Sequence, residues 1–221
     1  MSNIKIERHN APVEENIRDG VLDLVSANVT SLNMTHPPID HPKFEAYRVA
    51  LVLEVMTYLA MKKPYRIELV TASSDGLIVG FTLCGLPLNG STSECGVYYT
   101  AVAKAHRGKG LMSLMMNDIT DRYPSVALSC DVELVPRYER YGFRCDSVRH
   151  HQVVMFIGSP VEETPVLSVP DLMNNPSVMA EREKAESKFS SYEIDRADRA
   201  LAKRMQADEE KAKRFLKARN R

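Results

Sequence analysis

The stretch AVAKAHRGKGLMSLMM, from Ala101 to Met116, constrains the fold more than any other in the chain. A strand end of small residues gives way to a basic turn with two glycines. That turn opens directly into a segment whose apolar residues recur at helical spacing. A helix N-terminus already presents unpaired N–H groups and a partial positive charge. Arg107 and Lys109 are out of place there unless an anion binds. Gly108 and Gly110 lack Cβ atoms and allow the backbone to approach a diphosphate closely. The turn is not the triphosphate loop G-x-x-x-x-G-K-S/T. It fits the dinucleotide pattern G-x-G-x-x-G only partly, because Ser113 stands where the third glycine would be.

The rest of the chain supplies a sheet and helices around this turn. IKIERHN reads as a short strand, and a helix is expected from Val13 to Ser31, with Pro12 and Glu14–Glu15 at its start. A second helix is expected from Pro42 to Lys63, with an apolar face through Phe44, Tyr47, Leu51, Val55 and Leu59. YRIELVTA and LIVGFTLCGL, joined by SSDG, carry a strong hairpin signal. CGVYYTAVA forms another strand, followed by the glycine turn and a helix to about Tyr123. VALSCDV is a buried strand, VPRYERYGF a short helix ended by Gly142, and HHQVVMFI a last strand.

After Gly158 the pattern changes. SPVEETPVLSVPDLMNNP is proline-rich and almost aperiodic, which marks residues 160–176 as a linker or a surface-hugging arm. Residues 177–221 are charged, alanine-rich and glycine-free, and read as helix. Asn175 with Pro176 offers one helix start, and a capping box at Ser190 and Glu193 offers another. Residues 1–159 are then the core domain.

Charge is balanced, with 29 Lys/Arg against 29 Asp/Glu, so no overall field recruits nucleic acid or an anionic membrane. The most apolar stretch, VALVLEVMTYLAM, is interrupted by Glu54 and too short to span a bilayer. Cys84, Cys95, Cys130 and Cys145 show no C-x-x-C spacing, and the first residues show no secretion signal. The expectation is a cytoplasmic protein with free thiols and no metal.

Two segments together carry a family resemblance. Val102, Arg107, Gly108 and Gly110 match V-x-x-x-x-R-G-x-G. Tyr138, Glu139, Arg140, Gly142 and Phe143 resemble Y-E-K-x-G-F. With the order of elements, this pair resembles the Gcn5-related N-acetyltransferase (GNAT) superfamily over about Ile4 to Ile157. The chain departs from the family pattern at Met112, where Gly or Ala is usual, at Asp131, where Asn is common, and at Pro136 inside the short helix.

The resemblance implies an α+β fold: a mixed, mainly antiparallel twisted sheet flanked by helices, here with a helical C-terminal extension. It implies acetyl-CoA as co-substrate and an amine of unknown identity as acceptor. The pyrophosphate would be held by Arg107, Gly108, Lys109, Gly110, Leu111 and Met112, and pantetheine by main-chain groups of Thr100, Ala101 and Val102. Tyr138 would protonate the departing thiolate. Glu94, by alternation on the face of Tyr98, Thr100 and Val102, is the candidate base, with Glu68 a weaker one. His106, His150 and His151 read as surface residues. The other reading is a non-catalytic scaffold of the same fold. The stripe Ile194, Ala197, Leu201, Met205, Ala212 and Phe215 would then dock on a second copy or a larger assembly.

Overall fold

A computed structural model describes residues 4–219. The architecture is α+β. In chain order it runs β1 (Ile4–Asn10), α1 (Glu15–Ala27), α2 (Val29–Leu32), α3 (Phe44–Ala60), β2 (Ile67–Ser74), β3 (Leu77–Gly85) and β4 (Glu94–Val102). There follow α4 (Leu111–Thr120), β5 (Ser125–Cys130), α5 (Val135–Glu139), β6 (Arg144–Arg149) and β7 (Gln152–Ile157). Three helices end the chain: α6 (Val169–Met173), α7 (Pro176–Lys188) and α8 (Ser191–Arg219). The seven strands form one sheet in the order β1-β2-β3-β4-β5-β7-β6. Every pairing is antiparallel except β4 with β5.

The β2–β3 hairpin turns on Asp75 and Gly76, both at positive φ (51° and 82°), the conformation that makes Asp-Gly a hairpin signal. The expected first helix is split. Asn28 donates its side-chain amide to the Leu24 carbonyl at 2.7 Å, competing with the backbone ladder, and α2 starts one residue later. β6 was not foreseen, because RCDSVR has no apolar alternation. It is an edge strand whose charges face solvent, a common protection against edge pairing.

Hydrophobic burial divides between the two faces of the sheet. On one, α4 and α5 set Leu111, Met115, Met116, Ile119 and Tyr138 against Val126, Leu128, Val153 and Met155. On the other, Val21, Leu24 and Val25 of α1 and Leu51, Val55 and Leu59 of α3 cover Leu69, Phe81 and Leu83. Each such side chain contributes about 1.5–3 kcal/mol by leaving water. The opposite side of α3, at Ala46 and Ala50, is covered in turn by Val178 of α7.

The C-terminal third lies against this core. The Ser159 amide donates to Ser125 Oγ (3.1 Å), Glu162 N to Glu94 Oε2 (3.0 Å) and Leu167 N to Tyr58 Oη (3.1 Å). Tyr98 Oη donates to the Pro165 carbonyl at 2.6 Å. The segment expected as a linker therefore runs as a fastened arm, and α6 forms within it. Both foreseen caps are present. Asn175 Oδ1 accepts from Ser177 N at 3.0 Å, and Ser190 and Glu193 bond each other's main-chain amides. The stripe on α8 faces the chain's own fold, with Ile194, Leu201 and Ala212 all buried. Arg204 donates to the carbonyls of Thr35 and His36, Lys211 pairs with Glu133, and Arg219 with Glu139.

Candidate active site

β4 and β5 are paired only at Glu94–Ser125, Cys95–Val126 and Gly96–Ala127. Beyond Gly96 the two parallel strands part, and the gap opens toward their C-terminal ends. A bulge starts the divergence. Leu83 pairs with Tyr99 and Cys84 with Val97, which leaves Tyr98 as the extra residue. Tyr98 turns toward α3, 4.8 Å from Tyr58 between ring centroids, and packs where only a glycine fits, since a Cβ on Gly85 would collide with its ring.

The bulge also changes which residues share a face. Cys95 and Val97 pack in the core on the α4 side, and past the bulge Val102 does so, with Thr100 sharing its parity. Thr100 Oγ1 lies 3.0 Å from Thr82 Oγ1. Tyr98, Tyr99 and Ala101 face α1 and α3. Alternation then puts Glu94 with Gly96 on the α3 face, not with Thr100 and Val102 as uninterrupted parity predicts. Glu94 stands at the closed end of the gap. Its carboxylate accepts from Ser91 Oγ (3.1 Å) and from the arm at Glu162 N. Glu68 is further removed, paired with Arg122 at 2.6 Å.

At the open end lies the glycine turn. Gly108 and Gly110 both take positive φ (77° and 79°), and no atom comes within 4 Å of where a Cβ would stand on either. Gly110 is the N-cap of α4 and supplies no side-chain acceptor, so the first-turn N–H groups face an open surface. Lys109 is exposed beside them. Arg107 is tethered, its Nε to the Val102 carbonyl (3.1 Å) and its Nη2 to Asn28 Oδ1 (2.6 Å). It braces the turn against β4 and the α1–α2 break. Leu111 is buried. Met112 packs on the α4-side core, with its sulfur 3.7 Å from Arg137 Nη1, and so leans toward α5. These residues fit an extended anion with a narrow tail: diphosphate on the turn, tail between the parted strands.

Tyr138 sits on α5, the first α-helix after β5, edge-on to Phe143. It is 5% exposed, and its hydroxyl has no hydrogen-bond partner among the described residues. Burial pushes its pKa far above the usual phenol value, so it remains protonated at neutral pH. Asp131 closes β5 and meets residues that sequence reading left apart. His36 Nε2 is 3.3 Å from Asp131 Oδ1, and His151, in the β6–β7 turn, joins them. The neighbouring Asp131 carboxylate raises the His36 pKa. Despite burial, the approach of His36 and its charge hold the Asp131 carboxyl below its ordinary value. Only the fold reveals this group. The one sequence signal was an acid where the family pattern has an amide. His151 is buried rather than a surface residue.

A separate cavity of about 320 Å³, lined by Tyr47, Arg182, Asp198 and Met205, lies between α3, α7 and α8. It is on the outer side of α3, away from the gap.

A model of the acetyltransferase (GNAT) family matches residues 32–143, just over half of the chain. No curated protein matches. Among solved structures, an acyl-CoA N-acyltransferase from Pseudomonas aeruginosa is similar with a TM-score of 0.52 at 16% identity, over 71% of this chain and 100% of that one. The PaiA N-acetyltransferase from Thermoplasma acidophilum, solved in complex with coenzyme A, is similar with a TM-score of 0.50 at 11% identity, over 71% and 99%.

Proposed function

Because the chain belongs to the acetyltransferase (GNAT) family, we propose that it is an acyl-CoA-dependent N-acyltransferase that moves acetyl from acetyl-CoA to an amine of a small molecule or protein by direct attack. The observation that carries this reading is the meeting, at one end of the sheet, of the parted β4–β5 pair with the uncapped two-glycine turn. The turn and Lys109 hold the pyrophosphate. Main-chain groups of the stretch Thr100, Ala101 and Val102, beside the gap that β5 leaves, hold pantetheine.

A neutral amine attacks the thioester carbonyl, and the tetrahedral intermediate passes its nitrogen proton to water and collapses with loss of the CoA thiolate. Tyr138, kept neutral by burial, gives that thiolate its proton and recovers one from water. Glu94 serves in this reading as the anchor of the arm, since both its oxygens are engaged. A purely docking scaffold is the weaker reading, because the α8 stripe it needs is covered by the chain's own domain. No helix among the described residues is long and apolar enough to cross a bilayer.

Calorimetry with acetyl-CoA tests the proposal. Saturable binding by the full chain is expected, lost in Gly110→Asp through backbone strain at positive φ and repulsion of phosphate. A folded wild type that binds no acetyl-CoA overturns it.

A further inference from the structure

Three segments far apart in sequence each deliver one metal-binding side chain to one place: His36 before α3, Asp131 at the end of β5 and His151 between β6 and β7. Their ligand atoms all lie within 4.8 Å of one another. His36 Nδ1 is 2.8 Å from the Thr30 carbonyl, which can only accept, so that nitrogen carries the hydrogen. In neutral His36 the lone pair is then on Nε2, facing Asp131 Oδ1 at 3.3 Å, a pair that either a proton or a metal ion joins.

His151 strengthens the case independently. It is 5% exposed, and its Nε2, like that of His36, is buried without a hydrogen-bond partner among the described residues. Gln152 Nε2 lies 3.5 Å from Asp131 Oδ1, and the His36 backbone is held at φ 46°. A carbonyl behind one imidazole and an amide behind the carboxylate are the kind of support that orients metal ligands. Asp208 of α8 adds negative charge near His151, while Arg204 opposes it near His36.

We propose that His36, Asp131 and His151 form a binding site for a divalent transition metal of the zinc class. Two imidazoles and one carboxylate suit zinc and its first-row neighbours, and three protein ligands leave a coordination position open. Ligands about 2.1 Å from a common ion stand about 3.4 Å apart. Occupancy therefore draws the longest edge in by about 1.4 Å at most. The ion ties the His36 loop and the hairpin to the strand end that carries α5. The site is independent of the acyl-CoA reading, since none of its ligands belongs to the glycine turn.

The test uses the full chain, stripped with a chelator and titrated with Zn²⁺ by calorimetry and with Co²⁺ by visible absorption. One ion per chain is expected, with cobalt d–d bands and no thiolate charge-transfer band. Asp131→Asn and His36→Gln should each weaken binding by more than about tenfold, with melting curves showing which variants fold. If one does not fold, the other decides. A wild type that takes up no Co²⁺ saturably, or folded variants that bind as wild type does, overturns the proposal. Gly110→Asp should leave the cobalt spectrum unchanged, so the metal site and the acyl-CoA reading fail separately.

Discussion

Asp131 and Tyr138 are seven residues apart in one segment, yet their surroundings set them opposite tasks. Asp131 is stabilised as a carboxylate by its partners, while Tyr138 is kept neutral by burial. Tyr138→Phe removes a hydroxyl and little packing. Acetyl-CoA affinity should survive and turnover with a suitable amine should fall by about 10²-fold, read from steady-state rates. Glu54 is a third case. Burial against the sheet raises its carboxyl pKa, with Tyr99 opposing. A carboxyl with a raised folded-state pKa favours the native state below its ordinary pKa, and that contribution is lost as pH rises through the folded value. Glu54→Gln should therefore be more stable than wild type at neutral pH. The difference should vanish in acid, as followed by urea midpoints across pH.

Elements were legible in the sequence where local chemistry decides them. The Asp-Gly hairpin, the capping box at Ser190, the glycine turn and the run α3 all depend on neighbours within a few residues. What escaped depends on distant partners. β6 has no apolar signature because only its partner strand, β7, defines it. The break at Asn28 answers in part to Arg107, 79 positions away. The bulge at Tyr98 leaves no mark in alternation, and it moved Glu94 to the other face of β4. It also makes Gly85 indispensable. Gly85→Ala should displace the Tyr98 ring, loosen its bond to the arm and cost about 1–3 kcal/mol, measured by denaturant unfolding. Of the candidate site, the glycine turn at the start of α4 could be read directly. The His36–Asp131–His151 group could not, since its members meet only when three loops close.

At the scale of the molecule, the C-terminal third is part of the folded unit. Val178 and Ala212 are fully buried, and the arm hydrogen-bonds β4, β5 and α3. A chain ended at Ser159 would expose the outer side of α3 and lose the cover at Ala212. It should aggregate or lose its cooperative thermal transition, whereas the full chain unfolds in one step. Equal melting of the two would show that the first 159 residues stand alone.

The closing contacts of α8 have a consequence for how the chain reaches this state. Arg204 meets Thr35 across 169 positions, and Lys43 meets Asp198 across 155. Such pairings require very large loops to close, so they slow folding and come late in it. During synthesis the N-terminal sheet and helices emerge first and must wait, with the outer side of α3 uncovered, until α7 and α8 leave the ribosome. That interval is when the nascent chain is most exposed to aggregation and most in need of a chaperone.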